Sequence, residues 1–121
     1  MKKMMKTYQF LILFILSFCL NACGDFTHFQ QHADEQFGDQ HFKTAIALIE
    51  LHKVRFGEYP ASLDDLKYTG DWDLLALNSV SYHKVDNGYH LDILKGWVGQ
   101  PKLNYPQEFW QGIGLKQSNA K

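Results

Sequence analysis

The sequence predicts an α+β fold, with a long N-terminal helix packed on an antiparallel β-meander of three or four strands. Three observations carry this. Phe42, Ala45, Ile46, Ile49 and Phe56 recur at spacings of three, four and seven, the period of one helical face. Gly57 and Pro60 then end that pattern, because proline cannot continue a helix. Further on, residues 80 to 94 alternate around Asn87-Gly88, a pair that favours tight hairpin loops.

The helix is expected to begin near Asp39, whose carboxylate suits an N-cap after the break at Gly38. Leu48, Leu51 and Val54 widen its apolar surface, as a helix lying on a sheet requires. Lys53 and Arg55 complement the negative end of the helix dipole, and Gly57 is the expected C′ residue. Pro60 holds Tyr59 extended. Ser62 with Asp65 three residues on forms a capping-box pattern, and Leu63 and Leu66 dock this turn on the core. Residues 68 to 78 are consistent with either a helical turn or an irregular edge.

In the hairpin, a two-residue loop at Asn87-Gly88 pairs Asp86 with Tyr89, Lys84 with Leu91 and Tyr82 with Ile93. Val80, Tyr82, Tyr89, Leu91 and Ile93 then share the core face, and His83 sits across from Asp92 on the other. Trp97-Val98 is the expected start of a third strand, with Pro101 forcing an edge or turn. Phe109, Trp110 and Ile113 are expected to cover an open end of the core; exposed with Trp97, they would instead form a docking patch.

The first residues point to an address. Lys2, Lys3 and Lys6 precede an apolar run of 11 residues, Phe10 to Leu20. A membrane span needs roughly 20 such residues, so the run suits the h-region of an export signal. Leu20-Asn21-Ala22-Cys23-Gly24 follows, and the whole stretch resembles the signal peptide and lipobox of bacterial lipoproteins. The resemblance implies cleavage before Cys23 and lipidation of its thiol, with anchoring by two or more acyl chains. Gly24, rather than aspartate, after the cysteine implies outer-membrane delivery in a Gram-negative host, facing the periplasm, and otherwise the outer face of the cell membrane. The expected organisation is a signal peptide over residues 1–22, Cys23 and a tether over 23–38, an α+β domain over 39–116 and a flexible tail over 117–121.

A second resemblance covers residues 39 to 94. A helix ending in Phe56-Gly57-Glu58-Tyr59-Pro60, followed by Ser62-Leu63 and Leu66, is similar to the head domains of type II secretion pseudopilins and type IV pilins. It implies a helix running into an antiparallel sheet. The chain lacks the prepilin cleavage motif and has the lipobox instead, so the resemblance is to the head and does not extend to filament assembly.

Composition and motifs restrict function further. Beyond the signal, 9 basic residues face 13 acidic ones, a net charge of −4, which excludes the basic surface of a nucleic-acid binder. Cys19 lies in the signal and Cys23 is the lipid site, so no thiol remains for a disulfide, a zinc site or a nucleophile. His28 and His32 stand one helical turn apart, with Asp34 and Glu35 following, but a closed zinc site needs four ligands. Asp64, Asp65, Asp71 and Asp73 offer hard oxygens without the EF-hand spacing, and caps explain them. There is no G-x-S-x-G, P-loop or H-E-x-x-H motif. No catalytic residue, metal or cofactor is therefore assigned. The expected partners are the membrane, through Cys23, and a protein or other component of the cell envelope. The alternative is a periplasmic domain that binds a small ligand or a metal through the early histidines or the acidic turn.

Overall fold

A computed structural model describes residues 5–19 and 26–121 in full, and residues 2–4 and 20–25 as helical backbone only. The side chain of Cys23, the expected lipidation site, lies outside the described residues. The fold is α+β, with a long N-terminal helix and a three-stranded mixed sheet. Helix α1 spans Lys2–Phe56, helix α2 spans Asp71–Leu77, and strands β1, β2 and β3 span Val80–Val85, Gly88–Ile93 and Leu115–Gln117. Short 3-10 turns lie at Leu63–Asp65 and Gln107–Trp110.

The expected start at Asp39 is corrected, because α1 runs unbroken through Gly38. Glycine weakens a helix interior, yet here it has a packing reason. A Cβ at position 38 would collide with the ring of Pro101, which crosses the helix at that point. Asp39 is no N-cap. It pairs with Lys43 at 3.0 Å, one turn on, and accepts the Tyr105 hydroxyl at 2.8 Å. The expected tether is helical too, and Ala33 and Asp34 within it are buried. Among the described residues, no helix is long and apolar enough to cross a membrane.

The predicted core stripe is in place. Phe42, Ala45, Ile46 and Ile49 pack against Val80, Tyr89, Leu91 and Ile93 of the hairpin, with Leu77 and Leu103 closing the sides. Burial of Ile46 and Ile49 stabilises the fold by about 1.5–3 kcal/mol each. Phe56, by contrast, is exposed, with its ring against His52. Gly57 ends α1 with a positive φ of 82°, its amide bonded to Lys53 O at 2.9 Å, as the sequence predicts. Asp65 reaches back to the Ser62 amide at 3.2 Å, and Asp73 does the same to Gly70 at 2.8 Å. Residues 71–77, open between two readings in the sequence, are helical.

The hairpin forms in a register two residues from the expected one. Val85 pairs with Gly88, Tyr82 with Leu91 and Val80 with Ile93, so the loop is Asp86-Asn87, with Asn87 at φ 61°. A shift of two preserves the faces, and the core set is unchanged. Gly88 is needed in the strand, where a Cβ would strike the Gly114 carbonyl and the Lys116 side chain.

The antiparallel meander is also corrected. The third strand is β3, parallel to β2 through Tyr89↔Leu115 and His90↔Gln117. Trp97-Val98 forms no strand, because Gly96 and Gly99 close a turn through a 2.8 Å backbone hydrogen bond, and its amides are used by α1. Phe109, Trp110 and Ile113 are half-buried against the core, as expected. The tail is fixed rather than loose. Lys121 donates its amide to Leu103 O at 2.9 Å, Asn119 bonds the Ile93 backbone in both directions, and Ala120 is buried.

Candidate functional site

The long helix brings Phe37, Gln40, His41 and Thr44 onto one flank of the head, at spacings of three and four. Helix α2 runs beside them and contributes Trp72, Asp73 and Leu75, while the turn after β2 contributes Lys95 and Trp97. Between these elements lies a half-open cleft of about 550 Å³. That size falls in the range of small-molecule sites, which are apolar concavities with a few polar groups.

The aromatic side chains form its rim. Trp72 is 83% exposed, and Phe37 and Trp97 are close to half exposed. Phe37 stacks on His41 at 6.1 Å between ring centroids. The pKa of His41 is held below the usual histidine value, first by burial and then by the positive charge of Lys95. Its imidazole is therefore neutral at pH 7, with one nitrogen to donate and one to accept. Lys95 forms no ion pair among the described residues. The cleft thus joins an apolar, aromatic wall to a neutral His41, a cationic Lys95 and the carboxylate of Asp73.

Two polar side chains of its lining make structural bonds. Ser79 is buried, and its hydroxyl donates to Leu75 O at 2.7 Å, which ties it to the α2–β1 junction. The carboxylate of Asp73 accepts the Gly70 amide as a cap. Both side chains thus help to hold α2 and its junction with β1.

The side chains proposed from sequence for metals stay apart. Among the described residues, no group of three or more His, Cys, Asp or Glu could hold a metal ion. His28 and His32 are exposed on α1, and Asp65 and Asp73 are caps. His83 faces His90, at 6.2 Å between centroids, rather than Asp92, because of the shifted register. Asp92 pairs with Ser81 and accepts the Asn119 amide at 2.8 Å.

Two acids, the buried Asp34 and the half-buried Glu50, have roles that sequence reasoning missed. Asp34 Oδ1 accepts the amides of Trp97, Val98 and Gly99 at 2.9, 2.7 and 2.9 Å. These three donors, Val98 foremost, hold its carboxyl below the usual range against the opposing cost of burial. The bond set fixes the loop that carries Trp97 into the cleft. Glu50 accepts the Tyr59 and Tyr89 hydroxyls, each at 3.0 Å at its shortest, and the Gly114 amide at 2.7 Å. Burial first, and then Glu50, pushes the Tyr59 hydroxyl up to about 12, and Tyr89 higher still. The Glu50 cluster ties α1 to β2 and to the start of β3, and it is structural. The signal for both acids was their helical spacing from the core stripe: Asp34 lies eight residues before Phe42, and Glu50 four after Ile46.

Compared with known proteins, the chain matches no family model, no curated protein and no solved structure.

Proposed function

We propose that the chain is a lipid-anchored protein of the bacterial cell envelope whose head is an interaction module, and that the aromatic cleft receives its partner. The lipobox at Leu20-Asn21-Ala22-Cys23 supports the anchor. The observation that carries the docking site is the exposure of Trp72, at 83%, on the rim of a cleft beside Phe37. Large aromatic side chains held on rigid elements supply contact area at little entropic cost, and they dominate interface hot spots. The junction Gly57-Glu58-Tyr59-Pro60 supports kinship with pilin-like heads, from which the parallel β3 departs. The test is crosslinking in intact cells followed by capture of the anchored protein. A discrete partner should be recovered with the wild type and lost with Trp72→Ala; equal recovery from both proteins would refute the cleft as its seat.

A second reading places a small ligand in the same cleft. It is favoured by the half-open volume of about 550 Å³ and by His41 and Lys95, which could hold a carboxylate or other anionic group while the aromatic wall holds an apolar body. A ligand-dependent rise in melting temperature that Lys95→Ala abolishes would support it.

A further inference from the structure

We infer that the loop Leu94–Gly99, together with Phe26 and Phe29 of α1, is a membrane-contacting foot that seats in the phospholipid headgroup–acyl boundary beside the anchor. The inference rests on the proposed lipidation of Cys23 and goes beyond it, because it assigns a lipid-binding surface to the folded head. Leu94, Trp97 and Val98 are all exposed, at 50%, 46% and 63%. The ring of Trp97 packs edge-on against Phe29 at 6.0 Å between centroids, so the loop and the helix form one apolar surface. That surface has a defined position relative to the anchor. The backbone from Cys23 onward is helical, and at 1.5 Å per residue Phe26 and Phe29 stand only ~4.5 and ~9 Å beyond Cys23 along the axis. The headgroup layer is roughly 5–8 Å deep on each side, and interfacial segments bury to about 5–10 Å. The loop itself is held at Asp34, ~16.5 Å beyond Cys23 along the axis, so α1 must tilt toward Trp97 for the loop to reach that layer.

The chemistry of the loop suits lipid. Tryptophan is the residue most at home at a bilayer interface, with an apolar ring and a polar N–H, and the flanking Lys95 can extend its ammonium to a phosphate. The carboxylate beneath the loop, Asp34, is buried and its Oδ1 accepts the three backbone amides, so it does not project from the foot toward the lipid. Those same bonds hold the loop in shape before contact, so little ordering is needed on insertion.

The test uses the mature lipidated chain, from Cys23 onward, reconstituted in zwitterionic phosphatidylcholine vesicles, with a fraction of the lipids brominated near the glycerol end of their acyl chains. Vesicle flotation and tryptophan emission are read on the same sample. The chain has three tryptophans, so seating of Trp97 should quench on the order of a third of the emission. Trp97→Phe, which keeps the backbone amides bonded by Asp34, should float equally and lose the quenched component. Trp72→Phe, altered away from the loop, should keep it. Flotation without quenching, or quenching that survives Trp97→Phe, overturns the foot while leaving the anchor intact. A head whose patch is covered by a protein would give the first of these. Failure to float overturns the anchor and the foot together.

Discussion

The carboxylate of Asp34 lies 2.7 Å from the amide of Val98, which is 64 residues away in the chain. This contact, with its neighbours to Trp97 and Gly99, joins the helix to the loop after the hairpin. It converts what the sequence presents as a polar tether into part of the head. Gly96 makes the approach possible, because a Cβ there would overlap the Asp34 backbone.

Removing the Asp34 acceptor should therefore be costly. Asp34→Ala leaves three amides without their partner, and hydrogen bonds to a charged group are worth about 1.5–3 kcal/mol each, non-additively. A loss of roughly 2–5 kcal/mol in urea denaturation is expected. Asp34→Asn retains a carbonyl acceptor and should lose less. A change below about 0.5 kcal/mol for Asp34→Ala, the range of ordinary surface substitutions, would contradict this view of the loop.

The same carboxyl gives stability an acid limb. Its folded-state pKa is lowered from the usual 3.8, so its contribution is fully present above 3.8 and is lost as pH falls through the lower, folded-state value. The stability gap between wild type and Asp34→Asn should be constant near neutrality and narrow below pH 3.8. Denaturation curves across that range test it, and a gap that widened on acidification would have the wrong sign.

Gly57 and Gly88 should respond to alanine for different reasons. At Gly57 nothing lies near the new methyl group, and only the positive φ of 82° is strained, at about 1 kcal/mol. At Gly88 the Cβ meets the Gly114 carbonyl in the neighbouring strand. Overpacking of this kind costs typically 1–3 kcal/mol or displaces the strand. Amide exchange should therefore show Tyr89, whose N–H bonds Gly114 O, losing protection in Gly88→Ala and keeping it in Gly57→Ala.

The Glu50 cluster predicts an alkaline signature. Tyr59 and Tyr82 should ionise at about 12 rather than 10, chiefly because they are buried. A tyrosine whose folded pKa is raised stabilises fully below its unfolded value, and that contribution fades as pH rises through the folded one. Stability should thus fall between about pH 10 and 12 as the unfolded chain ionises first. In Glu50→Gln the acidic charge is gone, so the ultraviolet titration of Tyr59 should move down toward 10.

The residues explain what was legible in advance. The Phe42–Ile49 stripe, the stop at Gly57 and the capping turn at Ser62 are local patterns, and local physics determined them. The hairpin was legible down to its faces but not its register. Asn87-Gly88 is a good loop by itself, and only the arrival of Gly114 from 26 residues later reserves Gly88 for the strand. The parallel β3 was illegible for the same reason, since pairing across so long a connection leaves no periodic signal in a three-residue strand. Gly38 misled because it looks like a break, although its lack of a side chain serves Pro101. Of the site, Trp97 was recognised as a potential patch residue. Trp72, His41 and Lys95 were not, because a cleft between two helices and a loop exists only once they are packed.

The claim that organises the rest is the anchor at Cys23, and labelling with a radioactive fatty acid tests it most directly. In wild-type cells the protein should take up label and sediment with the membranes, and in Cys23→Ala cells it should take up none and stay larger by its uncleaved signal. Label and membrane association unchanged in Cys23→Ala would contradict the account.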